Sequence, residues 1–96
     1  MMIGMYWDVV EVSSGENWTL FVRFADGLSG SIRFLPGFFK GVFEPIREPS
    51  RFAEVFVDRG TVAWPGDVDL APDALYERLS REQDCVLTGE PADALA

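Results

Sequence analysis

Two runs of alternating residues, 18–24 and 28–34, flank Ala25-Asp26-Gly27 and leave the first half of this chain little freedom in how it folds. In an extended strand successive side chains point to opposite sides. Trp18, Leu20, Val22 and Phe24 therefore share one face, and Thr19, Phe21 and Arg23 the other. In the second run Leu28, Gly30, Ile32 and Phe34 alternate with Ser29, Ser31 and Arg33. The turn decides the register. A two-residue Asp26-Gly27 loop sets Phe24 opposite Ser29 and sends the two apolar rows to opposite faces. A three-residue loop pairs Phe24 with Leu28, Leu20 with Ile32 and Trp18 with Phe34, with Gly27 in the left-handed conformation this loop class requires. Thr19 then faces Arg33, and Phe21 faces Ser31, on the outer side.

Residues 6–12 have strand composition, and Ser13, Ser14, Gly15, Glu16 and Asn17 supply a turn. Beyond Phe34 the period of two stops at Leu35-Pro36-Gly37. The apolar residues of 38–46 then follow with mixed spacing among Gly and Pro, which predicts short helical turns. Pro45 and Pro49 prevent a long helix, and 51–54 is expected to form a single turn. Residues 55–58 and 61–64 read as two short strands joined by Arg59-Gly60. A helix is expected over 72–81, with Pro72 in its first position, Asp73 at the positive end of its dipole, and Leu75, Tyr76 and Leu79 on one stripe. Ala71 stands where a capping side chain is usual, leaving Asp69 to compensate from further back.

The expected fold class is therefore α+β: a small antiparallel sheet of four to five short strands, short helical turns and one C-terminal helix packed on the sheet. One domain spans 1–81. Residues 82–96 show no amphipathic period and read as a flexible acidic tail, with Cys85 inside it.

Composition bounds the function. Sixteen acidic residues against eight basic ones give a net charge of −8, which repels phosphate backbones and anionic lipid and attracts cationic partners. A single cysteine rules out an internal disulfide, and a small unstapled domain fits the cytoplasm. No apolar run is long enough to span a bilayer. The absence of histidine removes the commonest general base and leaves Cys85 without an imidazole to activate it. The serines have no nucleophile elbow, and the glycines are spread among turns without forming a phosphate loop.

Two constellations remain. Asp67, Asp69, Asp73 and Glu77 form an acidic cluster whose oxygens suit magnesium or calcium, but its spacing departs from the calcium-loop pattern. Capping and a solvated helix face are the favoured explanation. Phe38, Phe39, Val42 and Phe43 form an apolar cluster on a Gly- and Pro-rich loop. Such a cluster either fills one end of the core or presents an interaction surface.

Several segments together resemble a small bacterial family known only as domain of unknown function 2442. They are the Phe24-Ala25-Asp26-Gly27 turn, the stretch GVFEPIREP with FAEV, and GTVAWPGDVDLAPDALY. The likeness covers 6–79. Its specificity lies in the ordered combination of Gly41-Val42-Phe43, Trp64-Pro65 and Asp69-Leu70 with Pro72-Asp73 and Leu75-Tyr76, and Ala71 departs from the usual polar residue. The resemblance implies an α+β domain with a small antiparallel sheet and no established activity. Some relatives carry a helix-turn-helix domain after this one, and others are short proteins in settings similar to toxin-antitoxin pairs. The resulting expectation is a non-enzymatic cytoplasmic protein-interaction module, antitoxin-like or regulatory within a two-protein system and free of cofactors. Its partner would be another protein of basic character, with no direct nucleic-acid contact by this chain alone and no membrane. A homodimer through an exposed strand edge is compatible with it. The alternative is a ligand- or metal-sensing, or weakly catalytic, domain using Asp67, Asp69 and Asp73.

Overall fold

The computed structural model describes residues 5–89. Three strands lead: β1 (Val9–Ser14), β2 (Thr19–Phe24) and β3 (Ser29–Phe34). Two short 3-10 segments, Pro36–Phe38 and Gly41–Arg47, and the single turn α1 (Pro49–Phe52) connect them to β4 (Phe56–Asp58), β5 (Thr61–Trp64) and β6 (Val68–Asp69). The chain then forms α2 (Pro72–Arg81) and β7 (Asp84–Leu87).

The β2–β3 hairpin has the expected register: Thr19 pairs with Arg33, Leu20 with Ile32 and Phe21 with Ser31. Its three-residue loop closes through Phe24 N–H to Leu28 O at 2.7 Å and Gly27 N–H to Phe24 O at 2.9 Å, with Gly27 at φ +97°. Asp26 Oδ1 accepts Leu28 N–H at 2.9 Å, so the aspartate shapes the loop from within. The first strand starts later than the composition suggests. Ser13 and Ser14, expected in the turn, pair with Phe21 and Leu20. The turn is thereby moved to residues 15–18, where Asn17 and Trp18 adopt φ of 56° and 52°.

The strands divide between two sheets rather than one, in the orders β1-β2-β3-β7 and β4-β5-β6. The Arg59-Gly60 turn is as expected, with φ of 51° and 83°. Its hairpin does not extend the first sheet but packs beside β1, where Val9 N–H donates to Gly60 O at 2.8 Å. The reason lies in β5, where Val62, Ala63 and Trp64 are all buried and both faces need cover. Helix α2 occupies the expected residues, and among the described residues no side chain caps its N-terminus.

The expected tail is corrected by β7. It lies parallel to β3, pairing Asp84 with Ser31, Cys85 with Ile32 and Leu87 with Phe34. Cys85 and Leu87 face inward and are buried, so Cys85 is a small core residue rather than a tail thiol. Two glycines admit this strand. A Cβ on Gly30 would lie 2.2 Å from Gln83 O, and one on Gly37 would lie 2.8 Å from Thr88 O. The rest of the expected tail, 90–96, lies outside the described residues.

The core sits between the inner face of the first sheet and the layer formed by the second sheet, the 3-10 segments and α2. Phe34 is its hub. Its ring meets Phe38 at 5.0 Å, Phe52 at 5.4 Å, Phe39 at 6.0 Å and Trp64 at 6.2 Å, mostly edge to face. Trp64 is fully buried and its indole N–H donates to Phe52 O at 2.9 Å, so no polar group is stranded there.

Candidate interaction site

The apolar loop cluster is mostly core. Phe38, Phe39 and Phe43 are 6%, 7% and 7% exposed, and Phe38 and Phe43 meet with ring centroids 4.6 Å apart. Val42 alone reaches solvent, at 67%. The tight turns of the 3-10 segments swing the three rings inward towards Phe34, which removes them as an interaction surface.

The acidic cluster divides. Asp67 lies in the β5–β6 turn at φ 62°, Asp69 pairs with Ala63 on β6, and Asp73 and Glu77 stand one turn apart on α2. All four are exposed. Among the described residues no three Asp, Glu, His or Cys side chains gather closely enough to hold a metal ion.

A different constellation is assembled from residues far apart in sequence. The turn of residues 5–8 is closed by Met5 N–H to Asp8 Oδ2 at 3.0 Å and Asp8 N–H to Met5 O at 2.9 Å. It is pinned to the β2–β3 loop by Ala25 N–H to Asp8 O at 2.8 Å. This brings Tyr6 and Trp7 to α2, where the half-buried Tyr76 packs against the core. Tyr6 meets Trp7 at 4.9 Å and 77°, and Tyr76 at 5.1 Å and 79°. Tyr76 in turn meets the buried Phe24 at 5.1 Å and 82°. Between the turn and the helix runs a groove of about 510 Å³ lined by Tyr6, Trp7, Asp73, Tyr76, Glu77 and Ser80.

Tyr76 is fixed by its hydroxyl, which donates to Asp26 Oδ2 at 2.5 Å. That bond, with the Leu28 N–H on the other oxygen, holds the Asp26 carboxyl below the usual carboxylate range. The same bond, aided by desolvation and the nearby negative charge, raises the Tyr76 phenol above its ordinary value. Glu77 lies 3.8 Å from the exposed cation of Arg81. Sequence reasoning missed this site because Tyr6 reads as strand and Tyr76 as part of a core stripe. Nothing in the sequence separates Tyr6 and Trp7 from the strand composition of residues 6–12.

A sequence profile described as Protein of unknown function (DUF2442) matches residues 9–80, well over half of the chain. The chain belongs to the DUF2442 family. No curated protein and no solved structure matches it significantly. The matched span of this DUF2442 chain holds β1 to β6 and all of α2 but its last residue, while Tyr6, Trp7 and β7 lie outside it. Among the described residues no helix is long and apolar enough to cross a membrane.

Proposed function

We propose that this DUF2442 chain is a small acidic protein-interaction module of the cytoplasm, the regulatory, antitoxin-like member of a two-protein system whose other member is basic. The carrying observation is the groove beside α2, where the exposed Tyr6, the half-buried Trp7 and Tyr76 and two exposed carboxylates stand together on a chain of net charge −8. Such a surface attracts and orients a cationic partner. The antitoxin-like part rests on the family resemblance alone. On this reading the chain performs no chemistry and contacts neither nucleic acid nor membrane directly.

Affinity capture with the tagged full chain from its own host, followed by mass spectrometry and reconstitution with the purified candidate, tests the proposal. The expected result is one basic protein that binds stoichiometrically, with an affinity that falls steeply as salt rises. Reconstituted binding only to acidic or neutral proteins, insensitive to salt, refutes it.

A further inference from the structure

We infer that the groove between the 5–8 turn and α2 receives the guanidinium of an arginine on the basic partner. This deepens the interaction-module reading and depends on it. The chemistry comes from two kinds of group along its lining. Tyr6, Trp7 and Tyr76 line it, with Tyr6 in edge-to-face contact with each of the other two, so the groove is lined by π-systems, which attract cations. Tyr6 keeps 56% of its surface open to solvent, leaving ring area for a partner to cover. Asp73 and Glu77, four residues apart on α2, supply carboxylates along the same groove.

An arginine satisfies both groups at once. Its planar guanidinium stacks on an aromatic ring while its edge donates hydrogen bonds to a carboxylate, and it sheds its hydration more readily than an ammonium does. Lysine, a compact and strongly hydrated charge, matches the carboxylates but gains less from the rings. The site is also held in place before any partner arrives. Asp26 fixes the Tyr76 hydroxyl, and Asp8 closes the turn that presents Tyr6 and Trp7. The resident cation, Arg81, sits 3.8 Å from Glu77 with both side chains exposed, so an incoming guanidinium displaces it at little cost.

Two-dimensional NMR of the full chain, titrated with a capped peptide bearing three arginines and with its lysine and citrulline counterparts, tests this assignment. The expected result is shifts centred on Tyr6, Trp7 with its indole N–H, Tyr76 and Glu77, with arginine binding about 3- to 10-fold tighter than lysine and citrulline not binding. Tyr6→Ala is expected to weaken the arginine peptide about 3- to 30-fold and to lower the melting temperature only slightly, through its two ring contacts, since Tyr6 is 56% exposed. Glu77→Gln, which keeps the shape, is expected to weaken it and flatten its salt dependence. Equal affinity for the arginine and lysine peptides, shifts scattered over the acidic surface, or indifference to both substitutions overturns the inference. A basic partner that binds both variants normally refutes the groove and leaves the interaction module standing. An arginine peptide that binds here while no basic protein partner exists refutes the module instead.

Discussion

Gly30 places the sharpest demand on the fold. It faces inward opposite Val22, and a Cβ there would meet Gln83 O at 2.2 Å, Leu79 Cδ2 at 3.1 Å and Gln83 C at 3.3 Å. Ordinary contact begins at 3.4 Å, so Gly30→Ala forces a backbone carbonyl to retreat by more than an ångström. That carbonyl accepts Ser31 N–H at 3.1 Å, the bond that starts the β3–β7 ladder. Overpacking of this kind costs about 1–3 kcal/mol and a lost backbone hydrogen bond about 1 kcal/mol. Replacing a flexible glycine within a strand returns about 0.5–1 kcal/mol, for a net loss of about 1–3.5 kcal/mol. Equilibrium urea unfolding should show this as a midpoint about 1–2 M lower with an unchanged slope. Gly27→Ala is the control: at φ +97° with nothing within 4 Å, it should cost about 1–2 kcal/mol through backbone strain alone and leave the chemical shifts of the β7 amides untouched. A Gly30→Ala protein as stable as the parent would refute the close docking of β7.

Leu87→Ala should cost about 2–5 kcal/mol by thermal or urea unfolding, as for any fully buried leucine, whereas Val86→Ala on the exposed side should stay within about 0.5 kcal/mol. The Cys85 thiol, 1% exposed, should resist a disulfide reagent in the native protein and react fully on denaturation, and rapid native labelling would contradict its burial. The linked pair Asp26 and Tyr76 should titrate in opposite directions. The lowered Asp26 carboxyl contributes stability above its ordinary pKa of 3.8 and loses it as pH falls through the depressed value. The raised Tyr76 phenol contributes below 10.0 and loses it as pH rises through the elevated value. In an ultraviolet titration assigned with Tyr76→Phe, Asp26→Asn should move the Tyr76 midpoint back towards 10.0, and no movement would show that the bond does not form in solution.

What could be read beforehand follows from the range of the contacts. The β2–β3 register is local, fixed by a three-residue loop and an unbroken alternation, and α2 is bounded by Pro72 and a clear stripe. The Arg59-Gly60 turn is likewise encoded where it occurs. The parallel strand β7 was not legible, because four residues of alternation carry little information and its partner β3 lies 53 residues earlier. The split into two sheets depends on how β5 buries both faces, which no single-strand pattern reveals. The three loop phenylalanines were ambiguous between core and surface until their turns were placed. Phe38 and Phe39, as buried ring partners of Phe34, are positions that report on stability rather than docking. The groove escaped detection for the same reason as β7: Tyr6, Asp26 and Tyr76 meet only through the tertiary fold.

The most direct measurement is hydrogen–deuterium exchange on the chain alone and in complex with the basic partner proposed above. Exchange should slow at residues 5–8 and along 73–80, on both walls of the groove, with little change on the outer face of β1–β3. Slowing confined to that outer face, with the groove unaltered, would contradict recognition through the aromatic and acidic lining.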